Sequence, residues 1–406
     1  MSEKTINKVP NVPNLRFRQF VNPYKIWKCS DFLKFFTTNS LSWDQLSYTE
    51  QNEFLNLHYG LIHNGSPTLI DCEKYQLPYI QINIKNYTLC DDGDVIFADA
   101  SEDTKDICKP VEFINISKNN VVCGLHTIHA RDYQNLTILG YKGYLFSSYN
   151  FHKQVHRLTQ GTKIFSINSS NFKEMFVGIP EKAEQKEIVL FLAKIDERID
   201  TQSKIIEDYS SLKKSIIDNF FNELTNSSLG EHIIEITERN GYKNEYEVLS
   251  VSNKYGFIKQ NEQFEDRIIA SENKSNYKVV RKNTFAYNPT RINVGSIACM
   301  HYLDIGIVSP MYLCFSTLKT LSPYYLEYYF LSKSFKLEMN KKLEGSVRMC
   351  LQIDALKKIK LYIPSLEIQN KFVNKLSCFD KKIQKEKDIL SLYKKQKAYL
   401  LQNMFI

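Results

Sequence analysis

No pair of cysteines in this chain has the spacing of a metal or disulfide motif. The nine are scattered at positions 29, 72, 90, 108, 123, 299, 314, 350 and 378, with no CxxC, no clustering with histidine and an odd count. This excludes a disulfide framework and a zinc motif legible from spacing, and predicts reduced thiols in a cytoplasmic protein. His126 and His129 stand three apart in GLHTIHAR. On a strand they point to opposite faces, with no third ligand type nearby, so no metal site is expected. The opening MSEKTINKVP lacks the apolar core of a signal peptide, and the longest apolar runs are strand-length. No membrane association is expected. GxxxxGK[ST] is also missing, which excludes ATP binding by a P-loop.

What is present fits a globular protein. The 406 residues suffice for about two to three domains. A hydrophobic share of 43% allows sizeable cores. The net charge of +8 suits a nucleic-acid partner and suits a basic enzyme equally.

The informative feature is a repeat. IPEKAEQKEIVLFLAKIDERID at 179–200 returns as IPSLEIQNKFVNKLSCFDKKIQ at 363–384, a spacing of 184 residues that holds without a gap to the paired ends NFF (219–221) and NMF (403–405). Over these 43 positions 12 are identical, among them Gln185/Gln369, Asp196/Asp380 and Lys213/Lys397. Random pairing gives roughly two or three. Both copies read as long helices. Ile188, Leu192, Ile195, Ile199, Ile206, Tyr209, Ile216 and Phe220 recur mostly at three- and four-residue steps, and Phe372, Leu376, Phe379, Ile383, Leu390, Tyr393, Leu400 and Met404 fill the same slots. A proline opens each copy, where its missing N–H costs nothing, and neither proline nor glycine follows. The near-heptad spacing requires a long partner, and the obvious one is the other copy. The skipped slots hold Gln202/Glu386 and Lys213/Lys397; either the seam drifts there or these positions face something else. A helix of about 40 residues spans about 60 Å.

The segments before each helix mix short alternating runs, such as DVIFADA (94–100) and NTFAYNP (283–289), with helix-period stretches such as 322–343. They read as α+β. They also match each other faintly: LCDDGDVIFADA with VVRKNTFAYNPT, and VVCGLHTIHAR with DIGIVSPMYLCF. The organisation expected is therefore 1–178 as a first mixed domain, 179–225 as a central long helix, 226–362 as a second mixed domain and 363–406 as a C-terminal long helix.

With VPNLRF (12–17), HYGLIHNGSPTLID (58–71), GDVIFA (93–98), YNPTRINVGSIA (287–298) and the two IP…Q…L…D helix starts, the chain resembles the specificity (S) subunit of bacterial type I restriction-modification systems over essentially its whole length. The resemblance implies two pseudo-repeated target recognition domains joined by long helices in an antiparallel coiled coil. It implies a non-catalytic subunit that binds double-stranded DNA, each domain reading one half of a split, asymmetric site. It further implies two methyltransferase subunits that modify adenine N6 and two restriction (motor-nuclease) subunits as partners. S-adenosylmethionine, ATP and Mg2+ are then used by those partners, and this chain binds no cofactor. The helix length agrees, since major-groove faces of duplex DNA repeat every ~34–36 Å.

Phosphate contacts call for Lys, Arg and small polar donors, and base contacts favour Arg to guanine and Asn to adenine. On that chemistry the first domain offers His63 and Asn64 in a polar turn, and Tyr141, Lys142, Tyr144, Lys153, His156 and Arg157 in an aromatic and basic run. The second offers Lys254, Tyr255, Arg291, Asn293 and Arg348. Solvated surface is the ordinary reading of each alone; the resemblance strengthens Arg291 and Arg348. Two other functions compete. A self-sufficient methyltransferase or nuclease is disfavoured because Asn-Pro-Thr-Arg (288–291) lacks the second proline and the aromatic of adenine methyltransferases, and because no glycine-rich cofactor loop is present. A coiled-coil scaffold without sequence reading is disfavoured by the twofold domain repeat with divergent loops.

Overall fold

The computed structural model describes residues 11–103, 106–116, 119–159, 161, 164–222, 225–241, 246–260, 274–345 and 349–406. They form two compact units, one running up to Gln202 and joined by Ile389–Ile406, and one of Ser203–Asp388. The unit boundary falls inside both long helices, Lys182–Phe221 and Leu366–Asn403. Each unit thus contains the start of one long helix and the end of the other.

In the first unit a five-stranded sheet carries, in spatial order, Leu33–Phe36, Thr127–Asp132, Val95–Ala98, Pro110–Ile114 and Leu69–Asp71. The strand Val95–Ala98 is buried at every position, as a run of Val-Ile-Phe-Ala covered on both faces must be. One face packs Phe97 against Phe146, Phe151 and Phe172. The other packs Ile96, Ala98, Val111 and Phe113 against Leu57, Ile62 and Val121. A second sheet pairs Phe54–Leu57 in parallel with Asn120–Cys123.

The second unit repeats this plan. Ile233–Ile236, Leu313–Thr317, Thr284–Tyr287 and Ile297–Cys299 lie in the same order, and Val248–Ser252 pairs in parallel with Ile305–Val308. The faint sequence similarity between the segments is a similarity of strand order. The helices repeat too. Ser148 caps Tyr149–Leu158 by accepting from the Phe151 amide, and 184 positions on Ser332 caps Lys333–Asn340 by accepting from Phe335. Such a cap satisfies an amide that the helix leaves unpaired.

The long helices meet antiparallel in both units. In the first, Ile188, Leu192 and Ile195 share a core with Leu400 and Met404, and Asp196 pairs with Lys397 at 2.5 Å. In the second, Phe220 stacks on Phe372 at 3.9 Å and Lys213 pairs with Asp380. Gln202 and Glu386 are buried, 7% and 6% exposed, so these polar slots belong to the seam. Near the helix end Ile217 is buried and Ile216 only half-buried, the drift expected of a 3.6-residue period against a heptad. Among the described residues no helix is long and apolar enough to cross a membrane.

Each long helix is keyed by one glutamine to a loop of the mixed domain before it. Gln185 accepts from the Ile138 amide at 2.9 Å and donates to the carbonyls of Leu136 and Pro180, both at 2.9 Å. Gln369 accepts from Ser322 at 2.8 Å and donates to Thr320 and Pro364 at 3.0 and 2.9 Å. Both side chains are fully buried, where an unmade bond costs about 1–3 kcal/mol. Further along, Tyr144 donates to Asp196 at 2.9 Å and Tyr328 donates to Asp380 at 2.8 Å. Lys397 and Lys213 lie over these two rings at 5.6 and 5.1 Å. The repeated Gln, Asp and Lys therefore fasten each mixed domain to the helices.

His152 lies on the inner side of its helix, its Nδ1 buried and without a hydrogen-bond partner among the described residues. Burial, with His156 adding to it, holds its imidazole down to about 4. An unfolded histidine titrates near ~6.5, so unfolding takes up a proton between these values. The stabilisation is full above pH ~6.5 and is lost as the pH falls towards about 4. Between pH 7.5 and 5 the expected loss is about 2 kcal/mol, measured as a shift in urea unfolding, and His152→Leu should abolish that component.

Candidate nucleic-acid interface

In the second unit two loops meet at the ends of neighbouring strands. Val248–Ser252 turns through Asn253, Lys254 and Tyr255 into the antiparallel strand Gly256–Lys259. Thr284–Tyr287 runs into Asn288, whose carboxamide oxygen accepts from the Thr290 amide and hydroxyl at 3.1 and 2.9 Å. This side-chain turn leads to Arg291 and the short helix Ile292–Val294. The loop is pinned at both sides. Ser296 donates to the Val251 carbonyl at 3.1 Å, and the Leu351 amide donates to Pro289 at 3.0 Å. Gly295 sits at φ +90, a left-handed backbone conformation that a side chain would strain.

Lys254, Tyr255, Arg291 and Asn293 are therefore brought to one surface, all exposed. Lys254 lies 5.0 Å over the Tyr255 ring. Arg281 is held by Glu238 and Arg239 by Asn276. Arg291, the other described arginine of residues 226–362, has no such partner among the described residues. An exposed, unneutralised guanidinium on a rigid loop is what a phosphate or a guanine edge requires.

The matching strand ends in the first unit carry different chemistry. Phe54–Leu57 leads into His58 and Tyr59, Val95–Ala98 into Asp99, and His126 precedes Thr127–Asp132. Rings of Trp43, His58, Tyr59 and His126 pack in series at 4.4, 4.7 and 5.3 Å. His126 Nδ1 lies 3.1 Å from Asp99. Burial pushes the Asp99 carboxyl up, with His126 opposing, and burial pushes the His58 imidazole down, with His126 adding to it. His63 is half-buried, Nε2 2.8 Å from the Ala100 carbonyl, and Asn64 is exposed in the adjoining turn. Tyr59, Asp99 and His126 escaped the sequence reading as surface candidates. Matching LCDDGDVIFADA with VVRKNTFAYNPT sets Asp99 opposite Pro289, beside the Asn288 turn, which is the one available signal.

A family model described as "Type I restriction modification DNA specificity domain" matches residues 50–208 and again 223–392. The chain belongs to this family. It is also similar to the "Crystal structure of Type-I restriction-modification system S subunit from M. genitalium", at 15% identity over 97% of this chain and 99% of that chain, with a TM-score of 0.50. A second solved structure carries the words "Structural basis underlying complex assembly andconformational transition of the type I R-M system". It is 13% identical over 93% of this chain and 96% of that chain, with a TM-score of 0.57. At these identities the likeness is one of fold. No curated protein matches the chain in sequence.

For a type I specificity chain, the structure removes part of the expected DNA surface. Tyr141, Lys142 and Tyr144 are buried, at 0%, 3% and 0% exposure, and side chains so enclosed cannot reach a duplex. Lys142 lies 3.2 Å from Glu112 and donates to Thr137 at 3.0 Å. Glu112 also accepts from the Gly140 and Gly143 amides at 2.9 and 2.7 Å; burial pushes its carboxyl up against the pull of Lys142. Tyr144 belongs to the helix lock with Asp196. Lys153, His156 and Arg157 are exposed together on one face of Tyr149–Leu158. Arg348 lies outside the described residues.

Proposed function

We propose that the two units read the two halves of a split, asymmetric duplex site, the long helices setting the spacing between the halves. The observation that carries this reading is a common strand order with unlike side chains at the same strand ends. Lys254, Tyr255, Arg291 and Asn293 meet one half, and Tyr59, Asn64, Asp99 and His126 the other. Arg291 suits guanine O6 and N7, Asn293 suits adenine, and Lys254 suits a phosphate. Unequal loops on equal frames make the halves unequal.

The chain acts in the bacterial cytoplasm as a non-catalytic assembly subunit. It joins two methyltransferase subunits that use S-adenosylmethionine, and two restriction subunits that use ATP and Mg2+. Family membership and the shared fold support these partners. The test is a genome-wide map of N6-methyladenine in cells carrying a partner methyltransferase, with and without this chain. Methylation at one split, asymmetric motif only when the chain is present is expected. Unchanged methylation, or methylation of a continuous palindrome, contradicts the reading.

A further inference from the structure

His126 and His129 were expected to hold no metal, yet Cys123 stands six residues before His129, and the fold brings a second cysteine to the pair. Cys90 and Cys123 lie with their sulfurs 3.3 Å apart, and one donor atom from each of Cys90, Cys123 and His129 lies within 4.8 Å of the others. All three residues are buried, His129 with no exposed area. Its Nε2 lies 2.7 Å from Asp94, while Nδ1 is enclosed and has no hydrogen-bond partner among the described residues. An imidazole that gives its Nε2–H to a carboxylate carries a lone pair on Nδ1, and a carboxylate behind the ring is the usual support of a metal-bound histidine.

We propose that Cys90, Cys123 and His129 Nδ1 bind one Zn2+ ion, a water completing the tetrahedral set. Thiolates about 2.3 Å from zinc lie roughly 3.8 Å from each other in a tetrahedral arrangement, so the present sulfur separation needs only a small opening. Charge favours a divalent ion. Asp94 is already balanced by Arg131, at 2.7 Å to each carboxylate oxygen. Zinc then replaces the two thiol protons, which leave to solvent, and the buried centre stays neutral with a neutral imidazole. Without a metal, burial holds the Cys90 thiol well above its ordinary range and therefore protonated.

The ion would act as a staple. Cys123 ends a strand of the four-stranded sheet and His129 lies in the five-stranded sheet. The corresponding strand of the second unit, Ile305–Val308, ends in valine, so the centre belongs to the first unit alone.

Metal analysis of the purified full-length chain, prepared without chelator, is the test. One zinc per chain is expected, lost in Cys90→Ser with Cys123→Ser and retained in Cys299→Ser, which alters a second cluster with His301 and Glu327. A readout independent of folding variants is Co2+ titration of the zinc-stripped wild-type chain, which should give an intense thiolate-to-cobalt charge-transfer band. Substoichiometric zinc, no such band, zinc lost only in Cys299→Ser, or a Cys90–Cys123 disulfide in the freshly isolated chain each overturns the proposal.

Discussion

Lys142→Met is expected to destabilise the first unit by about 3–5 kcal/mol, the cost of leaving a buried charge without its partner. Glu112 is fully buried, and its other acceptor bonds come from two backbone amides that would remain. Its carboxylate would then have to stay ionised in an apolar interior or take up a proton. Lys142→Met with Glu112→Gln should recover part of the loss, because no net charge is left inside; a glutamine has one acceptor oxygen where Glu112 uses two, so one of the Gly140 and Gly143 amides stays unpaired. Chemical denaturation of the two variants beside the wild type measures this. A loss of DNA binding by Lys142→Met without any loss of stability would mean that this ammonium reaches the duplex after all, against its burial.

The second large effect is expected at the surface. Arg291→Ala should weaken binding to the cognate duplex by roughly 10- to 100-fold, corresponding to the 1–3 kcal/mol of a bidentate guanine contact. Thermal unfolding should be unchanged, since the side chain is exposed and only the backbone of this residue takes part in the loop's hydrogen bonds. Arg291→Lys keeps the charge but loses the planar fork, so it should restore affinity for non-cognate DNA better than discrimination. Titration of the assembled complex on cognate and scrambled duplexes separates the two. An equal loss on both sequences would reduce Arg291 to a phosphate contact, and no loss would remove it from the interface.

The helices were legible because their information is local and written twice. Gln185, Asp196 and Lys213 recur at Gln369, Asp380 and Lys397, and the structure gives each pair the same partners 184 positions apart. The α+β character of the intervening segments was also readable from their alternation. The misplaced candidates failed for a physical reason. Tyr141, Lys142 and Tyr144 look like a basic, aromatic surface run, and what buries them is distant in sequence: Glu112 on a strand and Asp196 on the long helix. Local pattern carries no sign of an ion pair between elements. The same holds in reverse for Tyr59, Asp99 and His126, which become neighbours only because three strands end side by side. Arg291 and Lys254 lie exposed in loops, as expected, because the turn chemistry of Asn-Pro-Thr and the hairpin around Tyr255 is local.

The central claim is that each unit determines half of the recognised sequence. Its most direct test is to exchange residues 1–178 for the corresponding segment of another type I specificity subunit and map N6-methyladenine in cells carrying the matching methyltransferase. The account predicts that one half of the split motif changes while the other half and the spacer length stay as they were. If both halves change together, or neither does, the units do not read independently and the account is wrong.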